Sequence, residues 1–341
     1  MRRFTYVTAS VCYLWFVTAS APETRLNDPL LYDIAMPLGA TYHPLGFAVE
    51  VVSNSQDVLD AACQSWGRYQ RAFETGAPIQ LRIVVEVEGE LPPEPKFRAQ
   101  RGSVLLVADR DNFGMCDAAA RRGFCFVSAR TVADRAWFRW HFLEAMAYVL
   151  LAQKDVVPVH AACVVRNGTG VLLCGASGSG KSTLAFACAR AGWQYAGDDA
   201  AWLLPDSDPP VAVGRCHQVR LRGDAPRLFP ELAGYIAEPR PNGRLAIEAP
   251  LGDFPKITVA PQCRVGGMVM LDRRTGAAAR ARVVEPDEIV DSLIADLPSY
   301  GAEVTARYVR TVRGLGSARA WRLEYDRLDD AVAALSDLFP S

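Results

Sequence analysis

Residues 175–183 read Gly175-Ala176-Ser177-Gly178-Ser179-Gly180-Lys181-Ser182-Thr183, and the first eight satisfy G-x-x-x-x-G-K-[ST] in full. Glycines at these places let the backbone take positive φ and approach a ligand closely. Successive N–H groups then turn inward on phosphate oxygens, and a helix starting near Ser182 adds its positive end. In such a cradle Lys181 holds the β- and γ-phosphates and Ser182 offers its hydroxyl to Mg²⁺. ATP with Mg²⁺ is therefore the expected ligand, bound by Gly175 through Thr183.

Two further groups stand at informative distances. Asn167-Gly168 is the favoured pair for a two-residue hairpin turn. It sets Arg166 opposite Thr169 and, if the ladder runs on, His160 opposite Gly175, with the imidazole at the cradle mouth. Asp198 and Asp199 end an apolar run beyond the loop. Adjacent carboxylates at a strand end point to opposite sides, so one is expected to meet Mg²⁺ and the other to accept the proton of an attacking hydroxyl. Spacing does not say which does which. Asp272, which closes Met268-Val269-Met270-Leu271, is a weaker rival for the metal. Arg220 and Arg244 are candidate sources of extra positive charge.

The elements that must position these residues are legible from periodicity. Val159 to Val165 and Gly170 to Cys174 read as the hairpin strands, Ser182 to Ala191 as a helix stopped by Gly192, and Trp193 to Ala196 as the next strand. Strand, loop, helix and strand make a βαβ unit, so the last strand is expected to lie parallel to and beside the loop strand. Upstream, Phe47 to Val52, Leu81 to Val87 and Ser103 to Ala108 read as strands, with a helix over Asp57 to Tyr69. Val132 to Gln153 reads as one amphipathic helix carrying Phe138, Phe142, Met146, Val149 and Leu150 on its buried stripe. Downstream strands are expected at Val211 to Val213, Gln218 to Leu221, Leu245 to Ile247 and Val265 to Asp272, then a helix over Asp329 to Leu338. The division that follows is a small α+β module over 1–130 and an α/β nucleotide-binding domain over 131–341.

Composition narrows the class. Half of the 341 residues are hydrophobic and 22% are charged, which excludes wholesale disorder. A formal net charge of −1 gives no reason to expect nucleic acid as partner. The nine cysteines include no C-x-x-C pair, so neither a zinc ribbon nor a disulfide framework is expected. Cys163, Cys174 and Cys188 sit in apolar runs and read as buried thiols of a reducing, cytoplasmic protein. The first 21 residues admit three readings: a signal-like segment, a start placed too far upstream, or an ordinary tail. No later segment has the apolar length of a membrane span.

The run His160 to Asp199 resembles the catalytic core of the HPr kinase/phosphorylase family. That family pairs a histidine before its phosphate loop with a G-x-S-G-x-G-K-S loop and a double aspartate about 17 residues past the lysine, matched here by His160, Gly175 to Ser182, and Asp198-Asp199. Arg220, Phe229-Pro230 and Asn242-Gly243-Arg244 resemble uncharacterised relatives of that family. The resemblance implies a kinase domain related in fold to phosphoenolpyruvate carboxykinase, transferring the γ-phosphate of ATP to a serine hydroxyl, with His160, Lys181, Asp198 and Asp199 as its catalytic set. Ala176 and Thr183 stand where the dual-activity enzymes carry acids, and their E-x-R-G-x-G signature is missing after the aspartates. The phosphorylase reaction and HPr as acceptor are therefore not carried over. The acceptor stays open among a protein, a peptide and a small molecule. An ATP-binding sensor without transfer is the alternative, and a homo-oligomer is compatible with either.

Overall fold

The structure, a computed structural model, describes residues 34–340 apart from 75, 87–88, 101 and 240–244. The signal-like stretch and Asn242-Gly243-Arg244 lie outside the described residues. What is described is a mixed α/β fold with three sheets.

The first sheet comprises β1 (Leu38–Tyr42), β2 (Val49–Ser53), β3 (Ile79–Glu86), β4 (Lys96–Gln100), β5 (Ser103–Val107), β6 (Phe113–Asp117) and β7 (Arg122–Ser128), in the order β1-β2-β3-β7-β6-β5-β4. Helix α1 (Gln56–Trp66) crosses from β2 to the parallel β3 and buries Val58, Leu59, Ala61, Ala62 and Trp66. The period-2 pattern of β2 turns Val49, Val51 and Ser53 to the same packed side.

The stretch expected to be one helix from Val132 to Gln153 is broken into α2 (Ala129–Ala133), α3 (Arg135–Phe138), a π-helical turn over Arg139–Leu143, and α4 (Glu144–Lys154). Two side chains make the early breaks. Ser128 caps the Thr131 N–H, and Asp134, itself non-helical at φ −80° and ψ 82°, caps Trp137. The π turn then widens the helix and brings Arg139, His141 and Glu144 into the interior. The expected stripe of Phe138, Phe142, Met146, Val149 and Leu150 is buried throughout.

The second sheet is built from β8 (Val157–Val159), β9 (Ala162–Arg166), β10 (Thr169–Cys174), β11 (Gln194–Gly197), β12 (Ala201–Leu203) and β13 (Val211–Gly214), with helix α5 (Lys181–Arg190) between β10 and β11. After these come β14 (Gln218–Arg222), β15 (Ala237–Pro239) and β16 (Leu245–Pro250), which form a small separate sheet. The second sheet is completed by β17 (Thr258–Val259), β18 (Gln262–Arg273), β19 (Arg280–Val283) and β20 (Arg319–Tyr325), and the helices α6 (Pro286–Ala295), α7 (Ala302–Arg313) and α8 (Leu328–Leu338) close the chain. Its order is β17-β11-β9-β10-β18-β13-β12-β8, with β20 pairing the far half of β18.

Alternation along β9 and β10 shows where the cores sit. Cys163, Val165, Leu172 and Cys174 join one core, shared with the first sheet, α1, α4, α6 and α7. Ala162, Val164, Val171 and Leu173 join the other, under α5, α8 and the small sheet. The second sheet is thus packed on both faces, which accounts for the nearly continuous apolar runs that form it. Cys163, Cys174 and Cys188 are buried free thiols. No helix among the described residues is long and apolar enough to cross a membrane.

Candidate functional site

The hairpin forms on the turn its residues demand. Asn167 and Gly168 take φ 50° and 75°, and pairing runs from Arg166–Thr169 to Ala162–Leu173 in the register read from the turn. The ladder stops there. Ala161 N–H bonds back to the Val159 carbonyl, and the preceding residues leave as β8 to pair with β12, Val159 opposite Ala201. On the other strand the chain turns into the loop at Gly175, φ 138°. The expected His160–Gly175 pair is therefore not made. His160 lies 40% exposed with its Nδ1 4.0 Å from Oδ2 of Asp296, the residue that follows α6.

The loop itself bends on Gly175, Gly178 and Gly180, all at positive φ. At Gly180 the need for glycine is twofold: φ is 94°, and a methyl group there would lie 2.6 Å from the Tyr325 hydroxyl. That hydroxyl donates to the Ser179 carbonyl at 2.9 Å and braces the loop from the end of β20. Gly180 caps α5, so the free N–H groups of its first turn face the loop. Lys181 is buried, and its Nζ donates to the carbonyls of Gly175 at 2.6 Å and Ala176 at 3.2 Å. Burial lowers its pKa; nearby Cys174 and the carboxylates of Asp199 and Asp296 oppose the shift without reversing it.

The paired aspartates diverge as expected of neighbours at a strand end. Asp198 is buried, and its Oδ2 accepts the Arg220 N–H at 2.6 Å. Its charge, after burial itself, holds the Tyr195 phenol well above the usual range. Asp199 is exposed. The Asp198 carbonyl accepts the Ser182 hydroxyl at 3.1 Å, which ties the start of α5 to the end of β11. One expectation changes: β11 runs parallel to β10 but is not beside it. Strand β9 lies between them and antiparallel to both, because β10 already holds β9 on one edge and β18 on the other.

Asp272 reaches the same end of the sheet, but Arg274 holds both its oxygens at 3.1 and 2.8 Å and Arg322 lies 3.9 Å away. Arg220 is no surface charge. With Arg139 and Arg215 it surrounds Glu144 and Glu248 in a buried ion cluster, every contact between 2.6 and 3.2 Å. Ser65 of α1 joins it through Glu144, so the cluster ties the first sheet's helix to the strand whose N–H holds Asp198. Two residues escape the sequence reading. Arg222, exposed, places Nη2 3.2 Å from where a methyl group on Gly178 would stand, and the alternation of Arg220 and Arg222 along β14 would have pointed to it. Asp296 carries no local signal.

Among the described residues no cluster of three or more His, Cys, Asp or Glu side chains is spaced to hold a metal by itself. A magnesium ion needs less than that, since it is commonly held by one or two protein oxygens together with phosphate oxygens. Ser182 and the exposed Asp199 fit such a role, whereas the Asp198 carboxylate is already engaged.

A family model described as SynChlorMet cassette protein ScmC matches residues 124–211, a span that includes the loop and both aspartates. No curated protein matches the chain. Among solved structures the chain is similar to the Hpr(Ser) kinase/phosphatase from Coxiella burnetii, at 14% identity over 53% of this chain and 95% of that one, with a TM-score of 0.29. At that score the likeness bears on neither the site nor the reaction.

Proposed function

We propose that this chain is an ATP-dependent kinase that transfers the γ-phosphate to a hydroxyl, the serine of a protein or peptide being the acceptor the sequence resemblance favours. The observation that carries the reading is the convergence at one sheet end of the glycine loop, the first turn of α5, the buried Lys181 and the exposed Asp199. In this reading residues 131–341 are the kinase domain and residues 1–130 a separate module, whose described part shares a core with it, working in the cytoplasm where ATP is plentiful.

The loop amides and Lys181 bind the phosphates and offset charge as the bridge from β- to γ-phosphate breaks. When bound, Mg²⁺ would be held by phosphate oxygens and the Ser182 hydroxyl and would supply further positive charge. Asp199 accepts the proton of the attacking hydroxyl, whose oxygen forms the new bond to phosphorus while ADP leaves. Asp198 acts on position: by fixing the end of β11 against Arg220 it aims its neighbour. Arg222 stands over the loop to meet phosphate charge. His160 and Asp296 flank the opening where the acceptor arrives.

The test is ATP binding by calorimetry and phosphate transfer from γ-labelled ATP to lysate proteins and to metabolites. Lys181→Ala should keep the fold, weaken ATP binding and abolish transfer. Unchanged affinity would refute the loop assignment, and label appearing only in metabolites would move the acceptor to the small-molecule class.

A further inference from the structure

The first turns of α5 look two ways. Ser182 faces β11 and the aspartates, while Thr183 and Ala187, one helical turn apart, line a cavity of about 1190 Å³. The cavity has two apolar walls. Leu228, Phe254 and Ile257 form one, from the segments flanking the small sheet, and Leu328 and Val332 of α8 form the other. Phe254 is held edge-on against Phe186 of α5, ring centroids 5.5 Å apart, whereas Leu228 is 51% exposed. None of His160, Asp198, Asp199 or Asp296 lines this space.

We propose that this cavity receives the base and ribose of the nucleotide, an inference that rests on the phosphate-loop reading above. Three features argue for that occupant. The cavity is continuous with the cradle, because Gly180 of the loop and Thr183 of the first turn line both. Its size exceeds the roughly 300–1,000 Å³ of most small-ligand sites and is ample for a nucleoside. Apolar walls suit a planar ring, and among the charged residues that also line the cavity with Tyr325, Asp326 and Asp329 suit the sugar hydroxyls and Arg273 and Arg327 the first phosphate. The nucleotide then runs from the α8 side, across the loop, to Lys181 and Asp199. Its γ-phosphate faces away from the cavity, so the acceptor hydroxyl enters on the β11 side, past His160 and Asp296.

Calorimetry on the full chain with ATP and, separately, inorganic tripolyphosphate tests this. Leu228→Ser combined with Ile257→Ser strips one wall, and Val332→Trp fills the space from the other. Circular dichroism identifies the variants that remain folded. Each should weaken ATP by at least about tenfold, the scale of a lost apolar side-chain contact, and leave tripolyphosphate within about twofold of the unsubstituted protein. Lys181→Ala should weaken both ligands. If folded wall variants bind ATP normally, the nucleoside lies elsewhere while the cradle stands. Equal losses for ATP and tripolyphosphate would show that the cavity supports the loop and does not hold a base. Failure of the unsubstituted protein to bind either ligand would overturn both readings.

Discussion

Replacing Glu144 with Ala should be among the most damaging single changes outside the loop, and the reason is a count of buried charge. Three guanidiniums, Arg139, Arg215 and Arg220, are balanced by two carboxylates, and every side chain in the cluster is less than a fifth exposed. Without Glu144 only Glu248 faces the three arginines, and Ser65 loses its acceptor. Breaking a buried pair on one side costs about 3–5 kcal/mol. At roughly 2–4 °C per kcal/mol this lowers Tm by about 6–20 °C. Glu144 also carries a pH signature. Burial alone would raise its pKa, but Arg220, Arg215 and Arg139 outweigh burial and lower it; Glu248 is likewise lowered, by Arg220 and Arg139. Their stabilisation is therefore complete above the ordinary carboxylate value of 4.5 and is lost as pH falls toward the lowered folded values. Urea unfolding followed by tryptophan fluorescence at pH 7, and again below pH 4.5, measures both effects. The difference between Glu144→Ala and the unsubstituted protein should shrink in acid. A loss under about 1 kcal/mol at neutral pH, or a difference that does not depend on pH, would refute this account of the cluster.

The two aspartates should separate by what they disturb. Asp198→Ala leaves the Arg220 N–H without its acceptor and should cost about 1–3 kcal/mol, whereas Asp199→Ala, being exposed, should stay within about 0.5 kcal/mol; equal costs in urea unfolding would contradict the divergence described. Asp199→Asn should lower phosphate transfer by at least about a hundredfold with ATP still bound. Since the Asp199 charge raises the Lys181 pKa against burial, the alkaline loss of ATP affinity should also move to lower pH in this variant, and titrations that superimpose would rule out this electrostatic influence. Gly214→Ala drives a methyl carbon into the Ala196 carbonyl of β11, so it should cost at least about 1–3 kcal/mol and displace the aspartates; a Tm and transfer rate like those of the unsubstituted protein would show that the two strands separate freely.

Much of the local geometry was readable from residue order. The glycines at 175, 178 and 180 foretell a sharply bent loop, and all three take positive φ. Asn167-Gly168 fixes both the turn and the register of β9 on β10, because few residue pairs tolerate two successive positive φ values. The stripe on Val132 to Gln153 identified buried side chains correctly, although the caps at Ser128 and Asp134 and the π turn cut its helix into pieces.

Tertiary structure decided everything that depends on which strands become neighbours. A βαβ reading gives the direction of β11 but not the insertion of β9 beside β10, since pairing energy does not distinguish an adjacent strand from one a step further along the sheet. The hairpin register reaches only as far as its ladder, so the place of His160 was set by β8 turning away to β12. The charge of Asp296 acts on Lys181 from just beyond α6, more than a hundred residues downstream in sequence, and Glu144 and Glu248 meet Arg139 and Arg220 from separate elements. Such contacts leave no spacing to read: burial makes charges seek partners, and only the packed chain determines which partners are within reach.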